Sequence, residues 1–188
     1  MNIKLQFKVE RRLGDPKIKV LLDEHMASYN GACPDFLNLD LPLSPGEHEL
    51  RIIHYGKQAQ DHVWDDSGKV VIDRHVEIES VSFDNVDLKE ELWSGEFFPV
   101  YDPDYVSDME KQGITLPYFI TPNLYLGHNG TWKFKFVYPA LDWLISLRRS
   151  RQNKPVNHTF KSTEEAVIQT RNFFDNVPDL PWDKNFNV

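Results

Sequence analysis

Hydrophobic and polar residues alternate along most of the first half of the chain. Ile3, Leu5, Phe7 and Val9 alternate with Asn2, Lys4, Gln6 and Lys8. A period of two puts one face of a strand against a core and the other in water. After a turn at Leu13-Gly14-Asp15-Pro16, Ile18, Val20 and Leu22 repeat the pattern against Lys17 and Lys19. Asn30-Gly31 is expected to interrupt it. Leu37, Leu39, Leu41 and Leu43 then alternate again, and Pro42 favours an edge position for that strand because proline has no N–H to give to a ladder. Ser44-Pro45-Gly46 reads as a turn.

The stretch from His48 to Leu88 predicts the pair around which the remaining strands gather. Its halves, EHELRIIHYGK and KVVIDRHVEIESVSF, are strand-like and rich in β-branched residues, and QAQDHVWDDSG between them is turn-rich. Leu50 and Ile52 face one way, and Val70, Ile72, Val76 and Ile78 repeat the alternation on the return. Short strands separated by turns, with no helix long enough for a parallel crossover before residue 100, predict a mainly β fold. The expected architecture is an antiparallel β-sandwich or jelly roll over residues 1–90. Leu5, Phe7, Val20, Leu39, Leu50, Ile52, Ile72 and Ile78 are its expected inward residues.

Residues 91–188 read as an aromatic-rich extension with helices, a strand completing the sandwich at 131–137, and an extended C-terminal arm. Trp93, Phe97, Phe98, Tyr101, Tyr105, Tyr118, Phe119 and Tyr125 crowd one proline-bearing connection, and connections of that length are usually functional or held by a partner. Within it, Asp102 as cap, Pro103 at the first helical position and Gly113 as stop predict a short helix. Trp132, Phe134 and Phe136 alternate with Lys133 and Lys135 on the completing strand. A helix is expected from Pro139 to Arg149, with Leu141, Leu144 and Ile145 on one face, although Trp143 to Leu147 also fits a strand. A capping box at Ser162-Thr163-Glu164-Glu165 opens a last helix, which Pro178 ends. Pro178 and Pro181 leave residues 178–188 extended, with Trp182 the natural anchor, on its own domain or on a neighbouring copy.

Composition narrows the function classes. The chain has 188 residues and a formal net charge of -8, which argues against a nucleic-acid-binding surface. Arg148, Arg149, Arg151 and Lys154 form one local basic cluster, a solvated helix end or a salt-bridging contact with an acidic subunit. No apolar run reaches the length of a membrane span. Charged residues interrupt the first stretch, so no secretory signal is expected. One cysteine, Cys33, leaves no internal disulfide.

Candidate chemistry is sparse. Asp102, Asp104, Asp108 and Glu110 could offer calcium its oxygen ligands, but they also suit a helix with acids in its first turn. Asp61, Asp65 and Asp66 lack the spacing of an EF-hand loop. The histidines show no zinc-motif spacing, although His54 and His75 could meet across a sheet. No nucleophile motif or phosphate-binding loop is present. The expectation is a protein without enzymatic activity, cofactor or metal centre. The surface candidates are aromatic: Trp93, Phe97, Phe98, Tyr101 and Trp182, suited to protein contacts or to sugar rings. Alternatively, the aromatics of the connection cover the sandwich as a second core.

SPGEHELRIIHYGK, DRHVEIESVSFDNVDL and YLGHNGTWKFKFVYPALDWL, between Ser44 and Leu144, together resemble small β-sandwich virion proteins of tailed bacteriophages. The resemblance implies a structural or decoration protein located in the virion, with other virion proteins or copies of itself as partners. The half from Ile18 to Leu88 is also similar to calcium-dependent xylan-binding modules, which implies a carbohydrate-binding sandwich with a glycan as partner.

Overall fold

The computed structural model describes residues 1–152 apart from 24, 25, 59 and 68. The strands are β1 (Asn2–Val9), β2 (Lys17–Leu22), β3 (Met26–Ala32), β4 (Phe36–Asp40), β5 (Gly46–Tyr55), β6 (His62–Trp64), β7 (Val70–Asp73), β8 (Val76–Phe83), β9 (Val86–Asp87), β10 (Glu96–Val100), β11 (Tyr125–Leu126) and β12 (Asn129–Tyr138). The helices are α1 (Pro103–Lys111) and α2 (Ala140–Gln152), with one 3₁₀ turn at Leu92–Ser94. Every strand pairing is antiparallel, and the protein is mainly β.

Besides the two-stranded β6–β7 pair, the described strands form two larger sheets: one runs in the order β11-β8-β1-β4, with β9 paired to β8, and the other in the order β10-β12-β5-β2-β3. Both feed one core, because each strand turns alternate residues inward. Ile3, Leu5 and Phe7 of β1 meet there with Ile18, Val20 and Leu22 of β2, Leu50 and Ile52 of β5, and Ile78, Val81 and Phe83 of β8. Phe83 and Phe136, from different sheets, bring their ring centroids to 4.2 Å. On β12, Trp132 and Phe134 stack at 5.7 Å, both buried. Burying one such side chain stabilises the fold by about 1.5–3 kcal/mol. The outward face of β1 is polar: Lys8 meets Glu77 at 3.1 Å and Gln6 meets Glu79 at 2.8 Å.

Several expectations are corrected. β5 and β8 do not pair; β5 lies between β12 and β2, and β8 between β11 and β1. The turn-rich segment between them is the crossing from one sheet to the other. Val70 and Ile72 belong to β7, which pairs only with β6 among the described strands. Val70 is therefore exposed and Ile72 only half-buried, while the other seven expected inward residues are buried. Asn30-Gly31 lies within β3 rather than breaking the pattern, because β2 supplies a full antiparallel partner. The completing strand exists as β12, but it pairs with both β5 and β10 and so lies inside its sheet.

α1 starts as expected. Asp102 accepts from the Asp104 backbone N–H at 2.9 Å, Pro103 follows it, and Gly113 at φ +72° ends the turn. Residues 143–147 are helical, which removes the strand alternative. α2 buries Ala140 and Leu144 and leaves Leu141 and Ile145 exposed, so of the three residues expected on its apolar face only Leu144 is buried. The helix expected at residues 162–177, the arm from 178 to 188 and Trp182 lie outside the described residues.

Candidate contact site

β10 is the outer strand of its sheet, and its sequence, EFFPV, sends neighbouring side chains to opposite faces. Phe97 goes inward and is 1% exposed, packed in the core. Room for it comes from β12, where a Cβ added to Gly130 would lie 2.9 Å from the Phe97 ring and 2.4 Å from the Phe98 carbonyl oxygen. Phe98 points outward. Lys133 of the neighbouring strand holds its ammonium 4.5 Å from the Phe98 ring centroid, within reach of a cation–π attraction.

The connection after α1 returns to β10 and is pinned there. Phe97 and Ile120 exchange backbone hydrogen bonds of 3.0 and 2.8 Å. The pin carries Tyr118 and Phe119 to the outer side of Phe98. Tyr118 meets Phe98 edge-on at 5.6 Å and 78°, and Phe119 lies tilted at 5.8 Å. Tyr118 is 83% exposed. Between β10, α1 and this connection lies an open groove of about 550 Å³, walled by Pro99, Tyr101, Val106, Glu110, Leu116 and Tyr118.

At the other end of β10, the Tyr101 hydroxyl donates to the Pro117 carbonyl at 3.0 Å. Tyr101 and Tyr105 lie near-parallel at 6.1 Å, and both meet the His128 ring, at 5.0 and 5.4 Å. Burial, then the neighbouring Tyr105, raises the Tyr101 phenol above its usual range. Burial, followed by the Lys57 cation, lowers His128 and keeps it neutral near pH 7.

Of the sequence candidates, Phe98 and Tyr101 lie at this site, and Phe97 is a core residue, for the reason of alternation just given. Trp93 is exposed on the 3₁₀ turn, and Trp182 is outside the described residues. Tyr118 and Phe119 were expected only within the aromatic connection, Lys133 only on the completing strand and Glu110 only as a calcium candidate, and none of the four was set among the contact residues. The period-two rule, applied to Phe97-Phe98, separates the inward ring from the outward one. Nothing in the sequence showed that Ile120 would pair with Phe97.

The acidic turn is committed to local structure. Asp61 pairs with Arg74 and accepts from the Gln58 N–H at 2.7 Å. Asp65 accepts from the Ser67 and Lys69 N–H groups, each at 2.9 Å. Lys57 donates to Asp73 and to the Gly127 carbonyl, and the Tyr125 hydroxyl donates to Asp73 at 3.0 Å. These contacts clasp the ends of β5, β7 and β11. Among the described residues, no three His, Cys, Asp or Glu side chains converge as a metal site. Cys33 is buried, and burial pushes its thiol up to about 12, far from a reactive thiolate. Both ring nitrogens of His48 are engaged, by Asp23 and by the Ser44 carbonyl, each at 2.9 Å. His54 is buried, its Nδ1 bonded to the His128 carbonyl at 2.9 Å. Among the described residues no helix is long and apolar enough to cross a membrane.

Neither a protein-family model, nor a curated protein, nor a solved structure matches this chain.

Proposed function

We propose that the two sheets pack as a β-sandwich and that this sandwich is a non-enzymatic contact module. In this reading it is a virion-associated structural or decoration protein, joined to other virion proteins or to copies of itself. The observation that carries the contact role is the outer aromatic cluster of Phe98, Tyr118 and Phe119, which stays outside a core already filled by other residues. Exposed aromatics of this kind are enriched at protein interfaces, where a rigid ring buries much area at little entropic cost. The virion setting rests on the sequence resemblance alone.

The groove offers no proton-transfer pair of its own. Glu110 is the only carboxylate on its wall, with no histidine, lysine or second acid beside it to act as a partner in proton transfer. The rings also suit a protein partner better than a sugar. A sugar platform needs rings near one plane, whereas Phe98 and Tyr118 meet at 78°. A glycan would have Tyr101 and Tyr105 to stack on, at 29° to each other.

The test is to measure the mass of the purified protein in solution and to look for it in a purified phage particle. Assembly in solution, or stoichiometric presence in the particle, is the expected result. A strict monomer absent from particles would overturn the proposal. Binding on a glycan array that is lost with a chelator would favour the carbohydrate reading instead.

A further inference from the structure

We infer that the groove between β10, α1 and the connection after it takes an extended, cationic segment of a partner protein, anchored by an apolar side chain. This rests on the contact reading above and names the partner's chemistry.

Shape is the first argument. Pro99, Val106 and Leu116 give the groove an apolar lining, and its volume of about 550 Å³ is of the size that admits a few side chains. The apolar surface does not stop at the groove. Ile114 and Tyr118 of its lining and Val100 next to it are all exposed. A surface that continues beyond its groove fits a chain running across it better than an enclosed small molecule.

Charge is the second argument, and it selects the sign of the partner. α1 and its cap carry Asp102, Asp104, Asp108 and Glu110, all exposed, against Lys111 as the sole cation. Lys111 is held by Asp108 at 2.8 Å, which cancels one of those charges and leaves the helix acidic. Glu110 stands on the groove wall itself, one helical turn from Val106. A partner carrying lysine or arginine beside an apolar anchor would meet Glu110 and the other acids of α1 together with the apolar lining. Such complementarity steers encounter and rejects acidic competitors.

The test uses the full chain and two fluorescein-labelled decapeptides, one alternating lysine and leucine around a central proline, the other with glutamate for lysine. Fluorescence anisotropy is read at low and at physiological salt. The lysine peptide is expected to bind and the glutamate peptide to bind at least tenfold more weakly. E110Q is expected to weaken the lysine peptide by about two- to fivefold. Y118A, at a side chain too exposed to matter for folding, is expected to weaken it by roughly tenfold. Equal binding of both peptides, with the Y118A loss retained, would overturn the cationic partner while leaving the contact surface standing. Binding of the lysine peptide that neither variant changes would overturn the inference too, since general attraction to a chain of charge -8 would then account for it. Binding of neither peptide would overturn it outright.

Discussion

Phe97 and Phe98 are the same residue type at adjacent positions, and their fates differ because a strand has only two faces. Phe97 fills the space that Gly130 leaves open; Phe98 lies outside under Lys133. His54 shows the same constraint acting on a polar residue. It follows Leu50 and Ile52 on the inward face of β5 and is fully buried. Its Nδ1 meets the His128 carbonyl, while Nε2 has no partner among the described residues. Burial lowers its pKa from 6.5 to about 4. The unfolded chain therefore takes up a proton first as pH falls, and this group's contribution to stability is full above pH 6.5 and lost by about pH 4. The loss amounts to roughly 3 kcal/mol. His128, also lowered, acts in the same sense. Glu10, which Arg12 holds at about 2, acts as pH falls from the ordinary carboxylate value of 4.5 toward 2, mostly below this window. His54→Gln should retain a donor for the carbonyl and remove the titration. Urea unfolding from pH 4 to 7 should then show a clearly flatter rise in stability than in the unaltered protein. An unchanged slope would show that His54 does not control this window.

At the scale of elements, local signals read well and pairings did not. The start and stop of α1 were legible because Asp102, Pro103 and Gly113 act within one turn of themselves. The alternation of β1, β2 and β12 was legible for the same reason. The partner of each strand was not. β5 pairs with β12, far along the chain, and β1 pairs with both β4 and β8, and alternation specifies a face but no neighbour. β3 was missed because Asn-Gly is a turn signal locally, and only its ladder to β2 makes it a strand. α1 buries none of its side chains fully, so its cap has unusual weight in holding it. Asp102→Ala should cost about 1 kcal/mol of helix stability. Because few core contacts depend on α1, hydrogen exchange should speed up across Val106 to Gly113 and leave β5 and β12 unchanged. Faster exchange in the core strands would mean that the helix supports the fold globally.

At the scale of the whole molecule, the two sheets divide the labour of their surfaces. β1 and β8 show charge-paired polar residues to solvent, whereas the outer strand β10 collects aromatic rings. The crowding of aromatics after Leu88 was visible in the sequence. Alternation divides Phe97 from Phe98, but the seating of Tyr118 and Phe119 against Phe98 was not visible, because it depends on the pin between Phe97 and Ile120. Under the proposed contact role the outer rings serve association and not stability. Sedimentation velocity on the Tyr118→Ser, Phe119→Ser double variant, beside the unaltered chain, tests it most directly, with urea unfolding as the check on folding. The unaltered protein should assemble, and the variant should remain a monomer with an unfolding free energy within about 0.5 kcal/mol of the original. Two proteins that sediment alike, with the variant weakened by several kcal/mol, would place these rings in the protein's own core and contradict the account.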